Sequence, residues 1–507
     1  MSWFNTDLFL HALTFIVPAA HVIGLLSAFD AVMHARTPQG SAAWALALLA
    51  FPLLALPLYW LFGRSRYIDY VEAIREIEGR VEDELADSRN NMLRDFLLPP
   101  HDQRHQNQQQ CDGQPARRDP RAEIAKGDER GELEGFQALA KFPLTRGNGA
   151  RLLINGKETF DAMFAAIDAA ESYVLVQFYI LRDDALGARL QQALLAKARQ
   201  GVRAFVLFDD VGSFGLSRRY RRELEEGGIA VSGFHGQKGW FGRFRINFRN
   251  HRKIVVVDGR VGFVGGFNVG DEYLGGDPEI GAWRDTHVRV EGPVVQALQL
   301  SFLKDWHFST DEMPALDWNP VKCAEDRVAL VLASGPNDRL ETCSLLFAHA
   351  IASAERRIWI ATPYFVPDAG VFSALKIAAL RGVDVRVLVP RRSDNLLFRF
   401  APYAYLPDAR EVGVNIYFYE AGFMHQKVFL IDDDYAAISS ANFDNRSFRL
   451  NFEITALLAD YAFAQDVAAM LKRDFTRATR AQGTEWHNRS FFFRLAVRIT
   501  RLFAPVL

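Results

Sequence analysis

One strand–helix–strand pattern occurs twice in this chain, and that repetition limits the fold more than any other feature. Residues 173–181 (YVLVQFYIL) and 202–209 (VRAFVLFD) are apolar runs of strand length separated by a helical stretch over 184–200. The same order returns as 357–365 (RIWIATPYF), a helix over 370–381, and 383–390 (VDVRVLVP). Both helices run into Gly-Val, at Gly201-Val202 and Gly382-Val383, a stop signal that leads into a strand. Further helical stretches at 160–169 and 345–354 precede each first strand. The offset of about 180 residues is too long for a solenoid repeat. The expected fold class is therefore α/β, with two duplicated units, each a sheet flanked by helices, at 136–320 and 321–487. With 507 residues, 49% of them hydrophobic, the chain can fill such cores.

Each unit carries one short constellation. The first is His251-Arg252-Lys253, four residues, Asp258, then Gly265-Gly266-Phe267-Asn268. The second is His425-Gln426-Lys427, four residues, Asp432, then Ser439-Ser440-Ala441-Asn442. Both read HxKx4D, and in both Asn follows His by 17 positions. From ordinary composition, one chance match in a chain this long is on the order of one in a hundred. Two matches with one Asn spacing, in duplicated units, are not chance.

The spacing has chemical content. Residues 254–257 read as a buried strand, and along extended backbone a His and a Lys two apart share a face. A second strand at 261–264 returns and brings Asn268 beside them. Imidazole, ammonium and amide on one surface suit an anionic tetrahedral cluster such as phosphate. Asp258 and Asp432 fall at the strand's end, where closing the turn suits them better than touching substrate. Brought together, the halves place two histidines around one phosphate. One imidazole attacks phosphorus; the other protonates the departing alcohol and then activates the incoming one. The two must hold different protonation states near neutral pH, which carboxylates can arrange. Asp285 and Glu453 lie downstream of the two motifs. The near symmetry leaves open which histidine attacks.

Residues 8–30 and 42–62 are long apolar runs, the second with Trp44, Tyr59 and Trp60 near its ends. A two-helix transmembrane hairpin within residues 1–66 is expected. A signal peptide fits poorly, because residues 1–7 hold no Lys or Arg. Arg64, Arg66, Arg75 and Arg80 follow the second run, whereas the loop between the runs has only Arg36, so the catalytic domain is expected in the cytoplasm. His11, His21 and Asp30 are expected near a helix end or facing the partner helix. Residues 67–135 read as a charged helix over 67–96 and a flexible connector over 99–135. The connector's His101, His105 and Cys111 lack the fourth ligand and rigid backbone of a metal site. With Cys323 and Cys343, Cys111 makes a scattered set of three that fits neither a disulfide framework nor a paired zinc motif.

A net charge of −2 shows no global bias toward nucleic acid. Residues 238–245 (KGWFGRFR) interleave aromatics with cations, which suits a loop dipping among anionic headgroups, although oligonucleotide binding uses the same chemistry. Arg218, Arg219, Arg221 and Arg222, followed by Glu223, Glu225 and Glu226, read as a salt-bridged helix face. Residues 488–507 read as an amphipathic helix, lying on the membrane surface or packing on the catalytic domain.

The duplicated HxKx4D motif is the signature of the phospholipase D superfamily, which this sequence resembles. Within it the likeness is to bacterial cardiolipin synthases and covers nearly the whole chain. It includes AWALALLAFPLLALPLYWLFG, NFRNHRKIVVVDGRVGFVGGFNVGDEY, WRDTHVRVEGP, TPYFVPD, MHQKVFLIDD, and SSANFDNRS followed by NFE. The superfamily usually places Gly-Ser before the Asn. Here Gly265-Gly266 leaves the first half without that hydroxyl, as in the synthases.

The resemblance implies two phospholipase D-like α/β sandwich units forming one catalytic domain, in a multi-pass protein of the bacterial inner membrane. The motif residues His251, Lys253, Asp258, His425, Lys427 and Asp432 form its catalytic set, with His251 as nucleophile and His425 as general acid and base. Lys253, Lys427, Asn268 and Asn442 would hold the phosphate, and Asp285 and Glu453 would orient the histidines. No metal or other cofactor is implied, since ammonium groups replace it. The substrates would be phosphatidylglycerol and anionic membrane lipids, with no nucleic acid expected. The implied reaction moves a phosphatidyl group between two phosphatidylglycerols and releases glycerol. Phospholipase D hydrolysis or another phosphatidyl transfer is the close alternative; a nuclease or a non-enzymatic lipid scaffold fits less well.

Overall fold

The protein, represented by a computed structural model, is described over residues 6–34, 38–63, 70, 94–97, 127–234, 247–275, 281–482 and 489–504. At the centre of a long mixed sheet, Thr145–Ile154 pairs antiparallel with Arg327–Ser334, Thr145 facing Ala329. Outward from that seam the first half adds Thr286–Glu291, Val261–Gly265, Ile254–Val257, Tyr173–Phe178, Arg203–Phe208 and Ala230–Gly233. The second half adds Asn451–Ala459, Tyr435–Ser439, Val428–Ile431, Arg357–Ala361, Asp384–Pro390, Asn415–Tyr419 and Ala478–Arg480. Apart from the additional outer strand Ala478–Arg480, the order is the same on both sides, so the seam acts as a pseudo-twofold axis.

Strand alternation sorts the side chains between two layers. Val174 and Val176 pack with the helices Asn155–Asp168 and Ala185–Arg199, whereas Tyr173 and Leu175 pack toward Val295–Thr310. Helices on both faces explain why the strands read as unbroken apolar runs. The second of these cores is common to both halves, joining Ile254 and Val256 to Ile438, Ile454 and Met470. A shared core makes the two units one body.

The expected helices at 184–200 and 370–381 are Ala185–Arg199 and Ala369–Leu380. Each is capped by the aspartate before it: Asp184 accepts from Gly187 N at 2.9 Å and Asp368 from Val371 N at 2.8 Å. Gly201 and Gly382 take φ of 87° and 93°, left-handed backbone that a side chain resists. The strands expected over 173–181 and 357–365 end early, at Phe178 and Ala361. The Arg218–Glu226 helix carries Arg219–Glu223 and Arg222–Glu226 ion pairs at 2.6 and 3.6 Å, as its charge pattern implies.

Two expectations need correction. The second apolar run is not one helix but Pro38–Ala50 and Pro52–Leu58, parted at Phe51 (φ −136°, ψ 58°) and followed by a π turn at Tyr59–Gly63. Pro52 disfavours helical backbone in the residue before it. Among the described residues one helix segment, Thr14–His34, is long and apolar enough to cross a membrane. It packs closely on the broken run at Gly24, where a Cβ would stand 2.6 Å from Leu48 O. Asp30 faces the partner segment, accepting from Tyr59 Oη at 2.7 Å. The connector expected to reach residue 135 is also too long, because Gly127–Leu139 is helical. Its Phe136 is buried against Leu346 and Phe347 of the second half. The rest of that connector, most of the 67–96 helix and the 238–245 loop lie outside the described residues.

Candidate active site

Each histidine backbone is pinned by the opposite half. Arg249–Asn250 pairs with the start of Asn451–Ala459, and His251 N donates to Phe452 O at 2.9 Å. Phe423–Met424 pairs with Trp283–Arg284, and His425 N donates to Arg284 O at 2.8 Å. The side chains repeat the exchange. His251 Nδ1 lies 2.9 and 3.0 Å from the Glu453 carboxylate oxygens, and His425 Nδ1 lies 2.9 Å from Asp285 Oδ2. The carboxylates therefore cross: each orients the histidine of the other motif.

The lysines complete one electrostatic centre. Lys253 Nζ donates to His251 O at 2.7 Å; Lys427 Nζ donates to His425 O at 2.6 Å and sits 4.0 Å from Asp285. The crossed strand pairs and histidine–carboxylate contacts bring both motifs to one locus. Burial is the main cause that pushes His251 down to about 4, aided by both lysines and opposed by Glu453. A neutral imidazole whose Nδ1–H is engaged by a carboxylate presents an unprotonated Nε2. Burial and Lys427 also lower His425. Burial pushes Lys427 down to about 8 against Asp285 and Glu453, and also lowers Lys253. Burial alone would raise Glu453, but His251, Lys253 and the Ser440 hydroxyl hold it at about 2. Asp285 stays below its usual value because Lys427 and His425 outweigh burial.

Asn268 and Asn442 occupy corresponding positions with different surroundings. Asn268 Oδ1 accepts from Ile180 N at 3.0 Å and its Nδ2 donates to Tyr273 Oη at 3.2 Å. Asn442 Oδ1 is buried with no hydrogen-bond partner among the described residues. Asp258 and Asp432 belong to the motif but stand apart from the histidine cluster, which corrects their place in the catalytic set. Asp258 accepts from the N–H groups of Glu171, Ser172 and Tyr173, each at 2.8 Å. Asp432 accepts from Glu355, Arg356 and Arg357 at 2.9, 2.7 and 2.7 Å. Both close turns in left-handed backbone, at φ of 52° and 48°. Seven residues of near-extended chain separate each from its histidine by up to about 20 Å.

Several supporting residues escape a motif search. Arg252 is buried and donates from Nη1 to both oxygens of Asp305 at 2.7 and 2.8 Å, and from Nε to Glu453 O at 3.2 Å. Gln177, Asn250 and Tyr70 also donate to that carboxylate. Arg284 pairs with Asp474 at 2.9 and 2.7 Å beneath Asp285. Ser440, Ser447 and Asn451 all donate to Glu453. Aromatic rings wall the histidines: Tyr179 stands 4.9 Å from His251, while Trp283 and Tyr364 stand 5.0 and 6.2 Å from His425. Asp305 is the single acidic residue of the 295–310 helix, and that was the available signal for it.

Comparisons with known proteins give the family and the fold. A family model described as cardiolipin synthase, phospholipase D-like domain, matches residues 163–306 and 347–475. A second, described as phospholipase D-nuclease N-terminal, matches residues 22–64. A Pseudomonas putida protein named cardiolipin synthase A is 44% identical over 97% of this chain and 98% of its own length. Its Pseudomonas aeruginosa namesake is 43% identical over 96% of this chain and 94% of that protein. Among solved structures, the Haemophilus influenzae phosphatidylserine synthase superposes with a TM-score of 0.53 at 13% identity, covering 74% of this chain and 100% of that one, a likeness of fold.

Proposed function

Because the chain belongs to the cardiolipin synthase family of phospholipase D-like proteins, we propose that it is a membrane-associated phosphatidyltransferase that joins two phosphatidylglycerols into cardiolipin and releases glycerol. The observation that carries this reading is the crossed pair of histidine–carboxylate dyads, with both lysines at one locus.

In the proposed reaction, Lys253, Lys427, Asn268 and Asn442 hold the phosphodiester. His251 Nε2 attacks phosphorus while Glu453 stabilises the imidazolium that forms. The P–O bond to glycerol breaks, and His425 supplies the proton to the departing alkoxide. The bound phosphodiester brings a negative charge that draws the His425 pKa back up. His425 then takes the proton of the second lipid's hydroxyl, whose oxygen displaces His251 and restores it. Asp258 and Asp432 act by fixing the strands that carry the motifs. The N-terminal region is proposed to cross the membrane twice despite its break at Phe51, with the catalytic domain on the cytoplasmic side. Residues 136–320 and 321–487 serve as the two halves of that domain.

The test is a product assay. Purified full-length protein with phosphatidylglycerol in mixed micelles is expected to yield cardiolipin and free glycerol in equal amounts. Phosphatidic acid as the sole lipid product would assign the chain to hydrolysis instead.

A further inference from the structure

The C-terminal helix carries a surface that the reaction does not use. Phe491–Leu502 turns Val497 and Thr500 inward, with Phe493 packing on Tyr403 and Phe400 at ring distances of 5.1 and 5.3 Å. Its opposite face leaves Phe492 79% and Leu502 78% exposed, with Phe491, Leu495 and Ile499 beside them. Arg494, Arg498 and Arg501, at i, i+4 and i+7, run along one flank between the two faces. Residues 489–504 contain four arginines and no acidic residue.

The inward face leads to the reaction centre. Ala504 packs with Phe398, Leu397, Val366 and Ala401 in one small cluster. Phe398 stacks on Tyr364 at 3.8 Å, and Tyr364 stands edge-on to His425. The helix thus sits on the segment that forms the aromatic wall on the His425 side.

We propose that this helix is a second membrane contact, in which Phe491, Phe492, Leu495 and Leu502 enter the interface of an anionic bilayer while the arginine row meets its headgroups. An apolar stripe of this kind flanked by cations alone matches a negatively charged lipid surface. Docking there holds the His425 side of the site against the leaflet from which lipid arrives. The inference rests on the proposed lipid substrate, but the surface can be tested apart from it.

The full-length protein is reconstituted into vesicles of equal parts phosphatidylcholine and phosphatidylglycerol, with an environment-sensitive fluorescent amino acid in place of Phe492. Blue-shifted emission that brominated acyl chains quench is expected, and weaker quenching in phosphatidylcholine alone. The variant Phe492→Glu/Leu502→Glu is expected to lose at least tenfold in turnover of bilayer phosphatidylglycerol, since each side chain kept in water forfeits about that factor of binding. Monomerically dispersed short-chain phosphatidylglycerol is expected to react at the parent rate. A probe that stays accessible to aqueous quencher, or one whose shift follows protein density rather than lipid, overturns the proposal, the latter in favour of a second copy of the chain. Equal loss on dispersed substrate overturns it as well, making the helix part of the catalytic fold alone. Absence of cardiolipin under every condition removes the proposed reaction, while probe depth still decides the surface.

Discussion

Replacing Glu453 with Gln tests the crossed arrangement, because proximity along the chain would assign Asp285, not Glu453, to His251. Glu453 is held ionised down to about 2 rather than 4.5. At 1.36 kcal/mol per pH unit, that is about 3 kcal/mol of interaction with its surroundings. Losing an interaction of that size as the imidazolium forms corresponds to about a hundredfold in rate. The assay uses a phosphatidyl donor whose leaving group is p-nitrophenol, which departs without a proton. Rapid mixing then reads the burst of p-nitrophenolate that accompanies attack by His251. His251→Ala is expected to abolish the burst, and Glu453→Gln to slow it about a hundredfold. Asp285→Asn and His425→Ala are expected to keep a fast burst while losing turnover, because the general base for the second lipid is impaired. A burst lost in Asp285→Asn and intact in Glu453→Gln would refute both the crossing and the assigned roles.

Three further outcomes follow from the geometry. A Cβ at Gly266 would stand 2.1 Å from Asp285 Oδ1, so Gly266→Ser is expected to cut steady-state turnover at least tenfold while sparing the burst, as Asp285→Asn does. Arg252→Ala leaves Asp305 buried without its cationic partner, and is expected to destabilise the fold by about 3–5 kcal/mol, read as a shift in denaturant midpoint. Adding Asp305→Leu is expected to recover only part of that loss, because Gln177, Asn250 and Tyr70 then lose their shared acceptor. The profile of kcat/KM against pH is expected to fall on the acid side as His251 protonates near its value of about 4, and on the alkaline side as Lys427 deprotonates near about 8. Lys427→Arg is expected to move only the alkaline limb upward, since a guanidinium keeps its proton.

Local rules made much of this molecule legible before its structure. Helix ends at Gly201 and Gly382, the strand Ile254–Val257 and the turn-closing role of Asp258 and Asp432 follow from periodicity and turn chemistry within a few residues. The strands at the seam, Thr145–Ile154 and Arg327–Ser334, are harder to read. Their environment comes from pairing with each other, about 180 residues apart, and only part of each is buried. The carboxylates illustrate the same division more sharply. Asp285 and Glu453 could be named as orienting groups from their residue type and place after each motif. Which histidine each serves depends on Arg249–Asn250 and Phe423–Met424 pairing with the opposite half, an exchange that no spacing encodes.

That exchange also gives a physical source for different roles in nearly identical halves. Asp285 is the shorter carboxylate and lies against Gly266, where a side chain would displace it. Glu453 is one carbon longer, and the corresponding position is Ser440, whose hydroxyl donates to it along with Ser447 and Asn451. One dyad therefore has its carboxylate anchored by three neutral donors, which suits a histidine that must become and remain a cation through a covalent intermediate. The other has Lys427 Nζ 2.9 Å from the imidazole of His425, a charge that favours proton release. The missing hydroxyl in the first motif and the extra donors around the second are thus two sides of one asymmetry. The proposed roles, His251 as nucleophile and His425 as proton carrier, rest on that asymmetry.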